Sequence, residues 1–273
     1  MRLTVLIVIA VVAPLAALWS PLTFAHNPVT SEGQDRLSSG LTALAVLVFW
    51  LMYIVGARRS PARAWRWWLF HSTAIITIIT ILGPLDEWAE VSASAHMTQH
   101  MFIMVIIAPL FALCKPLPQL FVASGRHGRS LWGFFFKITR YPMVCAYLHG
   151  FMIWFWHIPV FYMLAVDNPW VHVFEHACFL ITAVWFWWSV LYANARKAPF
   201  ALLALLLTLM HTGFLGALLT FAGEPLYGEA RGLQDQQLAG LIMWVLGGLP
   251  YIAASLWAGN RWYKHLNRRM LSG

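Results

Sequence analysis

Eight apolar runs, separated by short polar loops, follow one another along the 273 residues of the chain. Each run is close to the roughly 20 residues that a helix needs to cross the hydrocarbon core of a bilayer. The pattern predicts membrane-spanning helices at about residues 3–24, 38–57, 66–84, 94–114, 141–166, 170–192, 199–221 and 237–258. The predicted fold class is therefore all-α, a polytopic transmembrane helix bundle.

Composition and charge agree with this fold class and orient the bundle. Hydrophobic residues make up 60% of the chain and charged residues only 10%, which indicates a protein surrounded by membrane lipid. Apart from Arg36 and Arg231, every Lys and Arg lies on one side of the predicted bundle, and the acidic residues lie toward the other. The positive-inside rule makes the basic side cytoplasmic. We therefore expect a multi-pass protein of the inner (plasma) membrane with a cytoplasmic C-terminus, and no nucleic-acid partner.

The first apolar run has the features of a signal peptide, since a basic residue, an apolar core and small residues follow one another over residues 1–25. Its removal would leave residues 26–273 as a single transmembrane domain of about seven helices with an extracytoplasmic N-terminus. Pro14 interrupts the core and Thr23 makes the cleavage site imperfect, so an uncleaved signal anchor, giving eight helices, is the alternative. Cleavage would make His26 the N-terminus, where its amine and imidazole can chelate copper; otherwise it is a solvated loop residue.

Eight of the 11 histidines lie within or at the ends of the apolar runs, mostly toward the extracytoplasmic side. An imidazole in hydrocarbon is costly without a partner, so this group indicates a metal or haem site. The pairs His96/His100 and His172/His176 strengthen the indication. Four residues are about one helical turn, so each pair places two imidazoles on one helix face.

Other residues within the apolar runs can be interpreted in more than one way. Glu175 can pair with a histidine or orient a ligating imidazole. Met104 lies one turn beyond the first pair, and a thioether beside imidazoles favours Cu(I). His149 and His211 fall near the middle of the membrane, where one interhelical hydrogen bond could satisfy either of them. His71 is expected to be an interfacial or hydrogen-bonded side chain and not a ligand.

Three separated segments resemble one known family. They are HMTQHMFIMVIIAPLFALCKP from His96, WHIPVFYMLAVDNPWVHVFEHACFL from Trp156, and LGALLTFAGEPLY with DQQLAGLIMW between Leu215 and Trp244. Their sequences and order resemble the CtaG-type cytochrome c oxidase assembly factors, the polytopic family associated with caa3 oxidases. The likeness extends over most of the chain from about residue 40 onward.

The resemblance implies an integral membrane protein that helps a haem-copper oxidase to mature, by supplying copper to its catalytic subunit. It also places Asp235 and Gln236 in an outer-loop motif of the family. The histidine positions of the family fall on His96, His100, His157, His172, His176 and His211.

The resulting hypothesis is a copper chaperone of the respiratory chain and not an enzyme. An extracytoplasmic donor would supply Cu(I) to the two histidine pairs, His157 would share their site, and His149 or His211 would offer a deeper stop. The alternative is a haem-binding membrane oxidoreductase or haem-modifying enzyme that uses the histidines as axial ligands. A spacing of about 6 Å along one helix suits a small ion better than one porphyrin plane. A proton-relay transporter fits the deep pair but explains the outer histidines poorly.

Overall fold

The structure is a computed structural model that describes residues 33–228 and 232–272, without the side chain of Ser272. The proposed signal segment 1–25, the first predicted span and His26 lie outside the described residues. The cleavage of the first run and the division into one domain after it therefore stay predictions.

All regular structure in residues 33–228 and 232–272 is helical. The helices are α1 (Gly33–Arg59), α2 (Ala64–Leu82), α3 (Pro84–Val91), α4 (Ala93–Met101), α5 (Ala108–Cys114), α6 (Leu117–Ala123), α7 (Gly125–Phe135), α8 (Pro142–Trp156), α9 (Pro159–Asp167), α10 (Pro169–Leu191), α11 (Ala198–Thr220), α12 (Leu233–Leu241) and α13 (Gly247–Ser272). A π-helical turn joins α4 to α5 at Phe102–Ile107, and another joins α12 to α13 at Ile242–Leu246. A 3₁₀ turn at Phe136–Arg140 follows α7.

Six continuous segments in the described part of the chain are long and apolar enough to cross a membrane, and the pair α8 and α9 makes a seventh if counted as one bent span. This confirms the all-α polytopic bundle. The span predicted at 141–166 is not straight, because α8 and α9 meet at an angle of 74°. Ile158 is extended, with φ −64° and ψ 127°, as a residue before proline prefers. Pro159 thus ends the first helix and leaves His157 at the break.

The centre of the bundle is formed by the α4–α5 segment and α10. In the apolar stretch of 18 residues within each of these two segments, 61% and 56% of the residues are buried. In the corresponding stretch of α1, only 11% are buried. Small residues allow close helix contacts elsewhere: a Cβ at Gly216 in α11 would lie 2.8 Å from the carbonyl oxygen of Gly240 in α12. Such close approach is how membrane helices gain packing energy, since burial from lipid supplies little.

Charged groups gather at opposite ends of the bundle, as the sequence predicts. Lys115 lies near Arg66 and Arg261, and its partial burial, together with these two positive charges, lowers the pKa of its ammonium group. Arg261 also donates a hydrogen bond to the carbonyl of Leu191 at the end of α10. Basic residues from three distant parts of the chain therefore meet at one end. Asp235 lies at the other end, against the start of α4.

Candidate metal centre

The two histidine pairs face each other across α4 and α10. Within each pair, the two ring centroids lie 4.2 Å apart. Between the two helices, the ring centroids lie 5.2 Å apart for His96 and His172 and 5.4 Å apart for His100 and His176. The four side chains are only 1 to 8% exposed. One helical turn on each helix therefore builds a single buried layer of four imidazoles.

Glu175 contributes a carboxylate to this layer. Its Oε2 lies 3.7 Å from Nε2 of His96 and 3.7 Å from Nε2 of His100. This distance is too long for a hydrogen bond. Two atoms bound to one ion at about 2.0 to 2.2 Å can lie this far apart. Ligand atoms of these three residues and His172 all lie within 4.8 Å of one another, so small side-chain rotations would bring them onto one ion.

The hydrogen bonding of the cluster fits a bound cation. Among the described residues, neither oxygen of Glu175 and neither ring nitrogen of His100 has a hydrogen-bond partner, and all four atoms are buried. Leaving a buried polar group unsatisfied costs about 1 to 3 kcal/mol. A metal ion would remove this cost, because it accepts the lone pairs of imidazole and carboxylate together.

Asp86 joins the cluster from a third element, the short helix α3. Its carboxylate forms a second ligand group with His172 and His176, again within 4.8 Å. Gln99 donates through Nε2 to Oδ1 of Asp86 at 2.5 Å and to the carbonyl of Thr80 at 3.0 Å. In the sequence, Asp86 is only one of the acidic residues on the outer side and is not predicted as a ligand. Nothing local marks it, since its neighbours come from helices distant in sequence.

His157 lies at the margin of the cluster, where the break before Pro159 places it. Its Nδ1 is 2.7 Å from the carbonyl oxygen of Ile153, and its ring centroid is 6.5 Å from that of His100. A carbonyl only accepts, so Nδ1 carries the proton and Nε2 keeps a lone pair. This Nε2 is buried and has no hydrogen bond within the described chain, which suits it to ligation.

His149 and His211 form a separate pair deeper in the bundle. Nδ1 of His149 lies 3.0 Å from Oγ1 of Thr182, whose own proton goes to the carbonyl of Cys178 at 2.8 Å. His149 must therefore donate from Nδ1, which leaves a lone pair on Nε2. His211 packs against α8 at Gly150, where a Cβ would lie 2.8 Å from its Nε2. Neither nitrogen of His211 has a hydrogen-bond partner in the part of the chain that the structure describes.

The remaining candidates lie differently. His71 accepts a hydrogen bond at Nδ1 from Nε1 of Trp50 at 2.7 Å, in agreement with the expectation of a hydrogen-bonded side chain, and it is not part of the cluster. Met104 is buried in the π-helical turn after α4, and its carbonyl accepts from Nε1 of Trp187 at 2.8 Å. Its role as a thioether ligand stays a prediction.

Two tyrosines cover the outer side of the histidine layer. Tyr162 lies 5.0 Å from the ring of His96 and stacks on Tyr227 at 3.8 Å. Tyr227 belongs to the loop between α11 and α12 and donates to the carbonyl of His157 at 3.2 Å. Burial raises the pKa of its phenol. Gln236 holds this loop by accepting from the backbone N–H of Leu226 at 2.6 Å.

Comparison with known proteins identifies one match. The family model described as cytochrome c oxidase caa3 assembly factor matches residues 46–265. This segment contains the whole histidine layer, the deeper pair and the loop that carries Tyr227. No curated protein and no solved structure matches the chain.

Proposed function

The chain belongs to the cytochrome c oxidase caa3 assembly factor family, and from this membership we propose that it binds copper in the histidine layer and delivers it to the oxidase. The family implies an oxidase as the partner. The proposal adds the cargo, Cu(I), the extracytoplasmic donor that supplies it and the catalytic subunit that receives it within the membrane. The protein acts as a chaperone, so no covalent bond of a substrate changes.

The observation that carries the proposal is the donor set formed by His96, His100, His172 and Glu175. Imidazole is a good ligand for copper. An uncompensated charge is expensive in a medium of low dielectric. Within this donor set, the carboxylate of Glu175 balances the single charge of Cu(I).

The same geometry favours a small ion over haem. A porphyrin bound through two axial histidines must lie between them. Here the rings of His96 and His172 are only 5.2 Å apart, and Glu175 and the second imidazole of each pair occupy the space beside them. The cluster offers convergent ligand atoms rather than a flat slot.

Delivery requires sites that release the ion. A closed tetrahedral cage is typical of structural metal sites, whereas transfer needs incomplete coordination and ligand exchange. His157 at the margin and the pair His149/His211 deeper in the bundle offer such positions. We propose that the basic end of the bundle faces the cytoplasm, so that copper arrives at the end where Asp235 lies.

The test replaces His100 and His176 together with alanine. Both side chains belong to the cluster, whereas insertion depends on the surrounding apolar residues, so the variant should insert normally but lose bound copper and lower oxidase activity in cells. Copper per protein and oxidase activity are measured in the same membranes. The controls are His71→Ala, which removes a half-buried histidine outside the cluster, and His127→Ala, which removes an exposed one. Full copper occupancy and full oxidase activity in the double variant would contradict the proposal.

A further inference from the structure

The cluster contains two ligand groups that share one residue. His96, His100, His172 and Glu175 form the inner group, and Asp86, His172 and His176 form the second group. His172 belongs to both, and its ring lies 4.2 Å from that of His176 and 5.2 Å from that of His96. One ion can therefore occupy either position and keep His172 as a ligand when it moves between them.

The second group also lines a cavity. This cavity has a volume of about 330 Å³ and lies between the outer parts of α1, α2 and α10. Asp86, His172 and His176 form part of its wall, together with Thr42 of α1 and Trp170 of α10. Trp170 is 41% exposed, so the wall continues to the protein surface. All three residues of the second group thus line the cavity, whereas His172 is the residue of the inner group that does so.

We propose that Asp86, His172 and His176 form a receiving position at the end of this cavity, from which Cu(I) passes to the inner group by ligand exchange at His172. The inference rests on the proposed function, since it specifies how the cargo reaches the same cluster. Copper stays in the Cu(I) state throughout, and the step exchanges Asp86 and His176 for His96, His100 and Glu175.

Charge and orientation support this transfer. Each position contains one carboxylate, Asp86 in the receiving position and Glu175 in the inner one, so Cu(I) has a negatively charged ligand at both ends of the step. The hydrogen bond from Gln99 holds the carboxylate of Asp86 in place, as outer partners do for metal ligands. On the opposite side, the stacked rings of Tyr162 and Tyr227 cover the cluster. Within the described part of the chain, the lateral cavity therefore offers a route to the ligands.

The experiment follows the uptake of Cu(I) by the full chain in detergent, from a coloured Cu(I)–chelator complex under anaerobic, reducing conditions. Asp86→Asn should slow uptake at least about tenfold but reach the same final copper content, because the inner group is intact. Glu175→Gln should keep the uptake rate but lose copper to the chelator about tenfold more easily. Glu87→Gln, on the same short helix, is the matched control.

A second variant guards against a folding defect in the Asp86 variant. Thr42→Phe narrows the cavity from the side of α1 without changing a ligand, and it should slow uptake in the same way. Uptake at the wild-type rate in both variants would overturn the proposed receiving position. Complete loss of copper from a folded Asp86→Asn protein would also overturn it, because that result would indicate one undivided site. A wild-type protein that takes up no Cu(I) would instead contradict the proposed function itself.

Discussion

At the scale of single residues, the hydrogen bond on one ring nitrogen decides what the other can do. His149 and His157 donate from Nδ1, to Thr182 and to a backbone carbonyl, so their Nε2 atoms keep lone pairs. His71 accepts at Nδ1 from Trp50, so its Nε2 carries the proton. A lone pair on one ring nitrogen is what metal binding requires of a histidine, so these hydrogen bonds agree with the roles proposed for His149 and His157.

The deeper pair leads to a prediction about delivery. We expect His211→Ala to keep copper in the outer layer but fail to mature the oxidase, because capture is intact and the deeper position is lost. Copper content and oxidase activity, measured in the same membranes, should separate. Met210→Ala is the control, since this neighbouring side chain is 63% exposed on the outside of the bundle. Normal oxidase activity, or a parallel loss of metal and activity, would exclude a relay in two layers.

At the scale of elements, helix α4 is positioned from outside itself. Asp235, at the start of α12, accepts from the backbone N–H of Ala93 at 2.5 Å and from the hydroxyl of Ser94 at 2.5 Å. A carboxylate at a helix N-terminus satisfies unpaired N–H groups and opposes the helix dipole. His96 lies in the first turn of α4 and His100 one turn later, so we expect this contact between α4 and α12 to help position both imidazoles.

The contact predicts an indirect effect on the metal site. Asp235→Asn keeps the shape of the side chain but loses the charge, and a negative charge at a helix N-terminus contributes about 0.3 to 1 kcal/mol, rising to about 2 kcal/mol where it is partly buried. We expect copper affinity to fall by up to about tenfold, since 1.4 kcal/mol corresponds to that factor, while the copper content at saturation is unchanged. Competition with a Cu(I) chelator measures the affinity. Asp167→Asn, at an exposed position, should have no effect, and equal affinity in both variants would argue against a positioning role for Asp235.

At the scale of the whole molecule, the bundle separates its charges and keeps its ligands toward one end. Lys115, Arg66 and Arg261 meet at one end, and the contact of Asp235 with α4 marks the other. The histidine layer lies in the half nearer to Asp235, and the exposed apolar side chains of α1 and α11 face outward, toward lipid. The proposed loading from one side of the membrane agrees with this polarity.

Orientation can be tested directly. A reporter fused after Gly273 should report a cytoplasmic location, because the positive-inside rule places the basic end there. A reporter inserted after Gly223, where a Cβ would meet open space, should report the extracytoplasmic side. Alkaline phosphatase and a fluorescent protein that folds only in the cytoplasm give opposite signals and control each other. The inverse pattern would reverse the side from which copper is proposed to arrive.

The sequence alone was sufficient for the properties that depend on local pattern. The helical fold class, the spans from residue 38 onward, the segregation of charge and the placement of each histidine pair on one helix face follow from residues a few positions apart. Run length, helical period and loop charge are readable because the bilayer imposes the same requirement on every helix.

Only the tertiary structure decided which faces meet. It brings α4 and α10 together, adds Asp86 from α3 and joins Asp235 to the start of α4. Each of these contacts links residues that are far apart in the chain or depends on a neighbour from another helix. Helix packing in a membrane depends on small differences in van der Waals fit and on a few polar contacts. All the helices share the same apolar pattern, so this pattern does not indicate which helices pack together.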